Sequence, residues 1–164
     1  MKQLWAPWRV KYIMGEKREG CIFCHKPKEK KDKENYIVYR GKTCCVMMNL
    51  YPYNSGHLMI SPYKHVPDFE SLSAEELLEL MEVLRRSMRV LKSALRPEGF
   101  NVGMNVGEVA GAGFGDHVHI HVVPRWAQDT NFMPVISDTK VISEALDATY
   151  KKLKKVFPPP EAGG

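Results

Sequence analysis

The sequence predicts an α+β fold, with short strands paired in hairpins and one long helix laid against them. Three observations carry this reading. Segments rich in β-branched and apolar residues alternate with turn clusters, one apolar stripe runs at helical spacing from Leu77 to Leu95, and His117–Val123 alternates with a period of two. With 164 residues, 44% of them apolar and 26% charged, the chain has material for one ordinary core and little room for a second.

Residues 1–20 read as an irregular arm whose Trp5, Trp8 and Tyr12 need cover from the rest of the chain. Cys21-Ile-Phe-Cys24 follows, and His25 to Asn35 is a run of Lys and Glu expected as a solvated loop. Tyr36–Arg40 and Thr43–Asn49 are the first two strands. Pro52, Asn54, Ser55 and Gly56 then form a turn cluster that closes a hairpin onto the returning strand His57–Ser61, which Pro62 stops. Met47, Met48 and Met59 lie in these strands and are expected in the core.

Ser73 and Glu76 have the spacing of a capping box, each side chain able to satisfy an unpaired backbone N–H at a helix start. Leu77, Leu80, Leu84, Met88, Leu91 and Leu95 then recur at steps of three and four, and Pro97 with Gly99 ends the helix. Phe100–Val106 reads as a fourth strand, Gly107 to Gly115 as a glycine-rich loop, and His117–Val123 as a fifth strand ended by Pro124. Val141–Val156 reads as a terminal helix. The organisation expected is an arm (1–20), a folded domain (21–156) and a loose tail (157–164).

Lys and Arg number 24 against 19 Asp and Glu, a net charge of +5 with a pI near 9.0. That excess suits an anionic ligand such as a nucleotide, yet it is ordinary for a protein surface and does not imply a nucleic-acid partner. No apolar run reaches the ~18–20 residues that cross a bilayer, and the start lacks the apolar centre of a signal peptide. A cytoplasmic protein with no membrane partner is expected. In that compartment Cys21 and Cys24 read as half of a metal site and not as a disulfide. Cys44 and Cys45 point to opposite faces of their strand and are expected to pack.

His117-Val-His119-Ile-His121-Val-Val123 is the most informative stretch. Strand periodicity puts three imidazoles on one face, expected to be open, and Val118, Ile120 and Val122 on the other, against the helix. Two chemistries compete for this row. Metal binding by all three is difficult, because His117 and His121 start about 13 Å apart along a strand whereas each ligand must lie ~2 Å from zinc. Nucleophilic catalysis by the central imidazole needs its other nitrogen pinned by an acceptor, so that the attacking nitrogen is unprotonated. The loop just upstream, Gly107-Glu-Val-Ala-Gly-Ala-Gly-Phe-Gly115, is neither a P-loop nor a dinucleotide fingerprint. It does offer backbone N–H groups to a phosphate, which favours the second reading.

The three histidines at this spacing resemble the motif of the histidine triad (HIT) superfamily. Asn49 to Pro62 and Asn105 to Pro124 are similar to that family's two halves, and about residues 4–155 are covered by the likeness. Leu4-Trp-Ala-Pro-Trp-Arg9, Pro124-Arg-Trp126 and Asp129 to Pro134 look most like its bacterial diadenosine-tetraphosphate phosphorylase and Fhit-like branch. The resemblance implies a HIT-like antiparallel five-stranded sheet with one long and one C-terminal helix. It also implies His119 as a nucleophile that becomes nucleotidylated, with His121 and His57 contacting phosphates and orienting the reaction. Asn49 stands where the family binds ribose and Asn105 where an amide reaches the phosphates. Ala112, Gly113 and Phe114 stand where many members carry Gln or Ser, so phosphate contacts there, with those of Gly111, fall to backbone N–H groups. Trp126 stands where a base or leaving nucleotide can stack, with surface packing as the alternative.

Zinc-containing relatives, like the similar galactose-1-phosphate uridylyltransferases, combine a Cys-x-x-Cys with histidines at the positions of His65 and His117. The resemblance thus implies one structural zinc on Cys21, Cys24, His65 and His117, with His25 a neighbouring decoy and metal-free thiols the alternative. The implied substrate is an adenine nucleotide or dinucleoside polyphosphate, with inorganic phosphate or water as acceptor, and the implied assembly a homodimer. Hydrolysis of dinucleoside polyphosphates, Hint-like hydrolysis of nucleoside phosphoramidates, and a zinc-stapled nucleotide-binding regulatory module stay open beside phosphorolysis.

Overall fold

The computed structural model describes residues 20–110, 117–127, 129, 142 and 144–158. In chain order these form α1 (Ile22–Lys28), β1 (Ile37–Arg40), β2 (Cys44–Met48), β3 (Leu58–Pro62), α2 (Ala74–Leu95), β4 (Gly99–Gly103), a 3-10 turn at Glu108–Ala110, β5 (Ile120–Arg125) and α3 (Leu146–Val156). The strands make one five-stranded sheet in the order β1-β2-β3-β5-β4, every pairing antiparallel. The α+β class is as the sequence predicts.

Period two divides the sheet's side chains between two cores. Cys44, Val46, Met48, Leu58, Ile60, Ile120 and Val122 enter the main core, which α2 and α3 complete through Leu80, Val83, Val90, Leu91, Tyr150 and Leu153. Cys45, Met47 and Met59 face the other way and pack with Ile37 and with Phe23 of α1. Met59 pairs with His121 across strands, so this second face also carries the histidines. Cys44 and Cys45 are both fully buried, one in each core, and the three strand methionines are core residues.

The start of α2 follows from its sequence. Glu76 N–H donates to Ser73 Oγ at 3.2 Å and Ser73 N–H donates to Glu76 Oε2 at 2.8 Å, a reciprocal cap that contributes ~1 kcal/mol. The helix stops at Arg96, held left-handed at φ 51° directly before Pro97. Its buried face is wider than the leucine stripe and includes Val83, Ser87 and Val90.

Several element boundaries differ from expectation. The fourth strand ends at Gly103 instead of Val106, because Gly103 pairs with His121 and the ladder has no further partner. The fifth runs Ile120–Arg125 instead of His117–Val123. The β3 pairing stops at Ile60, and the Pro62 carbonyl accepts from His117 Nε2–H at 2.9 Å, so Val118 N–H donates to the Val66 carbonyl at 2.8 Å instead. Pro124 sits inside β5 opposite Phe100, beyond the β3 pairing, where no N–H is required. The terminal helix begins at Leu146, five residues later than expected.

The polar run from His25 to Asn35 is largely solvent-exposed, as expected, but it is not a free loop. Its first residues belong to α1, Lys26 is 7% exposed, and Asn35 is buried with its amide donating to Glu29 Oε2 at 2.8 Å. Arg40 clasps Asp32, at 2.7 Å for the closest pair, and donates to the Pro27 carbonyl. These specific partners, invisible in charge composition, fold the run onto β1. The arm up to residue 19, its Trp5, Trp8 and Tyr12, the loop residues 111–116 and the tail from 159 lie outside the described residues.

Candidate active site and metal centre

The turn before β3 delivers the first histidine. Gly56 has φ +78°, and a Cβ there would meet Leu95 Cδ1 at 2.5 Å, so only glycine lets the chain pass under α2 on its way to His57. The Asn54 amide anchors the turn by donating to the Pro124 carbonyl at 3.0 Å and to Asp129 Oδ2 at 2.8 Å. Asp129 in turn pairs with Arg125 at the end of β5. His57 is thereby fixed beside the histidine strand.

Hydrogen bonds assign each proton. Tyr53 N–H donates to His57 Nδ1 at 3.2 Å, which leaves the His57 proton on Nε2. That Nε2–H donates to His121 Nδ1 at 2.9 Å, so His121 carries its own proton on Nε2. His119 Nδ1–H donates to the His117 carbonyl at 2.9 Å, which leaves the His119 lone pair on Nε2. The pinned nitrogen that nucleophilic catalysis requires is present. The His119 and His121 rings meet edge to face with centroids 4.7 Å apart.

Burial keeps this group neutral. It pushes His57 down to about 3, helped by the charges of His121 and His119, and His121 down to about 4, helped by His119. Burial also lowers His119, against the opposing bond to the His117 carbonyl. The histidine face is not the open face the alternation suggests. His57 and His117 are fully buried and His119 is 5% exposed. Phe23 of α1 lies over the row, its ring centroid 4.5 Å from His119 and 5.2 Å from His117.

The other expected residues divide. Asn49 is half-buried beside this group, its N–H donating to the His57 carbonyl at 3.0 Å and its Oδ1 accepting from Tyr51 N–H at 2.9 Å. Asn105 is half-buried just past β4. The Trp126 indole N–H donates to the Arg96 carbonyl at 3.1 Å, which ties it to the end of α2. Gly111, Ala112, Gly113 and Phe114 lie outside the described residues.

At the other end of the histidine strand, Cys21 Sγ, Cys24 Sγ, His65 Nδ1 and His117 Nδ1 all lie within 4.8 Å of one another and can hold a metal ion. The closest approaches are 3.1 Å from Cys21 to His117, 3.3 Å from Cys24 to His65 and 3.2 Å between the two histidine nitrogens. His117 is already in the binding tautomer. Its Nε2 faces the Pro62 carbonyl at 2.9 Å, which only a protonated nitrogen satisfies, so the Nδ1 lone pair points at the thiols. Without a metal, burial pushes the Cys21 thiol up to about 11. His25 is not one of the four; its ring lies against Gly20, where a Cβ would come within 2.2 Å of Nε2.

Sequence reasoning missed the part played by four residues. Phe23 sits inside the Cys-x-x-Cys and is the aromatic that covers His119. Tyr53 stacks on His57 with ring centroids 4.9 Å apart while being 54% exposed. Asn54 and Asp129 clasp the turn. An apolar aromatic between two ligands of a closed site was a usable signal; Tyr53 acts partly through its backbone, which no residue type announces.

A buried neutral imidazole with one lone pair directed and a second imidazole holding a proton nearby defines a protein able to take a group onto histidine. Residues 30–128 match the HIT domain family, and the chain belongs to it. Over 162 residues it is 41% identical to AP-4-A phosphorylase of Mycobacterium tuberculosis, an alignment covering 93% of this chain and 83% of that one. Among solved structures, a hypothetical histidine triad nucleotide-binding protein from Sulfolobus tokodaii superposes with a TM-score of 0.68 at 25% identity, covering 83% of this chain and 91% of that one. A zinc-bound histidine triad family protein from Mycobacterium smegmatis gives a TM-score of 0.68 at 21% identity, covering 84% and 92%.

Proposed function

We propose that this protein cleaves dinucleoside polyphosphates by passing a nucleotidyl group through His119, and that inorganic phosphate is the acceptor. The observation that carries the reading is the Nδ1–H bond to the His117 carbonyl, which makes Nε2 the nucleophilic nitrogen without any proton transfer. In the first step the Nε2 lone pair forms a bond to the α-phosphorus and the bond to the bridging oxygen breaks, releasing the other nucleotide. In the second a phosphate oxygen attacks the same phosphorus, the P–N bond breaks, and a nucleoside diphosphate leaves. For diadenosine tetraphosphate the products are ATP and ADP; with water they are ATP and AMP.

His121 contributes its Nε2–H to the phosphate oxygens, and His57 keeps that proton in place by donating to His121 Nδ1. Asn49 contacts the ribose, Asn105 and the backbone of Gly111, Ala112, Gly113 and Phe114 contact the phosphates, and Trp126 lies toward the leaving nucleotide. Phosphate as acceptor is supported by the name of the mycobacterial relative, which is similar over most of both chains.

The metal is zinc, in a structural role. Zn–N and Zn–S bonds of ~2.0 and ~2.3 Å give tetrahedral edges of ~3.3 Å between nitrogens and ~3.5 Å between nitrogen and sulfur. The 3.2 Å between His65 and His117 and the 3.1 to 3.5 Å from thiols to imidazoles fit that figure. Cys21, Cys24, His65 and His117 would hold the ion with four protein donors, so it would stabilise the fold and supply no chemistry to the attack. We place the protein in the cytoplasm, where Cys21 and Cys24 stay reduced and able to ligate the ion; no described helix is long and apolar enough to cross a membrane. Edge strand β4 exposes Val102, with Met104 and Val106 just beyond it, a surface suited to a second copy. A dimeric mass by light scattering checks that assembly.

The test combines product and residue. Diadenosine tetraphosphate with millimolar phosphate should give ADP and ATP, and His119→Asn should lower turnover by roughly four orders of magnitude while nucleotide still binds. AMP as the product would assign a hydrolase, and fast turnover by His119→Asn would end the covalent mechanism.

A further inference from the structure

We infer that Phe23 is a positioning residue for the nucleophile: carried between the two thiols of the metal site, its ring holds the His119 imidazole against the His117 carbonyl and so sets the aim of Nε2. The inference rests on the reading of His119 as the nucleophile.

One bond does not fix a ring. With only Nδ1–H on the His117 carbonyl, the His119 imidazole can still rock about that contact or turn over and exchange Nδ1 for Cδ2. Phe23 closes off those motions. It is 1% exposed, and its ring lies at 32° to the His119 ring with centroids 4.5 Å apart. A ring across one face leaves the edge uncovered, and the edge is where the Nε2 lone pair lies. His121 meets the same imidazole at 69°, so His119 is bounded by two aromatic neighbours at different angles.

Phe23 is itself held at both ends. Ile37, Cys45, Met47 and Met59 form its floor. Its backbone is the first turn of α1, in which the Cys21 carbonyl accepts from Cys24 N–H at 3.1 Å and His25 N–H at 3.0 Å. A metal on Cys21 and Cys24 would clamp that turn, and the Phe23 ring also touches the ligand His117. The metal centre and the nucleophile are therefore joined by one side chain as well as by the strand. A structural ion can govern reactivity by this route without touching substrate.

The experiment uses the zinc-loaded full chain with Phe23→Ala, Phe23→Leu and Phe23→Tyr. Metal content and melting are recorded first, then single-turnover transfer to His119, KM, and the His119 tautomer by nitrogen-15 NMR. Phe23→Ala should keep one zinc per chain and lose about 10- to 100-fold in transfer rate, with KM within about twofold. Its His119 should change from a single Nδ1-protonated tautomer to a mixture. Phe23→Tyr should restore most of the rate, and Phe23→Leu, which fills the space without a flat ring, should fall between.

If Phe23→Ala does not fold, Phe23→Leu carries the comparison. Wild-type transfer and tautomer in a zinc-loaded Phe23→Ala or Phe23→Leu, or a loss confined to KM, overturns the inference. Should the wild type form no nucleotidyl-His119, the proposed reaction fails, and the tautomer measurement still decides whether Phe23 holds the ring.

Discussion

The two ends of one histidine strand carry the same side chain and opposite chemistry. At His117 the Nε2–H is locked on the Pro62 carbonyl and Nδ1 looks into two thiols and a second imidazole. At His121 the arrangement is reversed: Nδ1 accepts a hydrogen bond from His57 Nε2–H, and the residue's own proton stays on Nε2. Four residues separate them. The difference lies in what the neighbouring strand presents, the carbonyl of the last residue of β3 in one case and a buried imidazole just before its start in the other. An imidazole becomes a metal ligand or a proton donor according to which of its nitrogens the scaffold satisfies first.

Breaking the His117 end should have the largest effect on the fold. Cys21→Ser with Cys24→Ser removes half the donor set and leaves His117 and His65 facing each other without an ion. Because structural zinc binding is coupled to folding, stability should drop by roughly 2–4 kcal/mol and the melting temperature by about 5–15 °C. The loss should be local at first. Amide exchange at Val118, whose N–H bonds the Val66 carbonyl, should quicken more than at Val122 in the middle of the sheet. Uniform quickening along the strand would mean that the two ends do not behave separately.

Breaking the His121 end should affect rate more than stability. His57→Ala leaves His121 Nδ1 without its donor, so the His121 proton is no longer held on Nε2. A loss of about 10- to 100-fold in kcat is expected, less than the ~10²–10³ for removing such a donor outright, because the His121 proton is misplaced and not removed. His57→Gln can still donate an amide N–H to His121 Nδ1 and should recover part of that loss. Equal activity in the two variants would show that filling the space matters and the donor does not.

The sequence disclosed these two ends unequally. Three alternating histidines announced a site, and Ser73 with Glu76 announced the helix that backs it, because both are short-range patterns that backbone geometry enforces. The nucleophile's pinned nitrogen was legible as a requirement but not as a partner, since the acceptor is a carbonyl and carbonyls are the same at every residue. His65 and His117 were legible only through the family resemblance, being 52 residues apart in the chain. The closure of the histidine face was not legible at all. It depends on α1 folding back over the sheet, and the Lys- and Glu-rich run that follows Cys24 reads as a free solvated loop until Arg40 and Asn35 are seen holding it. Ser87 makes the same point within α2: a serine fully buried in an apolar stripe, its hydroxyl without a partner among the described residues, breaks the pattern that found the helix.

The smallest effect separates the two ends by acid. An unfolded imidazole titrates near 6.5, whereas in the folded chain burial holds His57 near 3 and His121 near 4. Between those values the unfolded chain binds protons that the folded chain excludes. Stability from this pair is therefore complete above about pH 6.5 and declines as the pH falls, the His121 share ending near 4 and the His57 share near 3. A fully buried imidazole such as His57 sets a slope of at most ~1.4 kcal/mol per pH unit, and the half-buried His121 adds less because solvent screens it. From pH 6.5 to 5.5, with exposed carboxylates still ionised, the expected loss is about 1 kcal/mol, or roughly 2–4 °C in melting temperature. The metal end also weakens in acid, since protons compete for its thiolates and imidazoles. That contribution is common to the wild type and His57→Gln, and the His57 contribution is not. The melting temperature of His57→Gln should consequently fall less steeply over this interval, and parallel curves would mean that the acid sensitivity resides at the metal end alone.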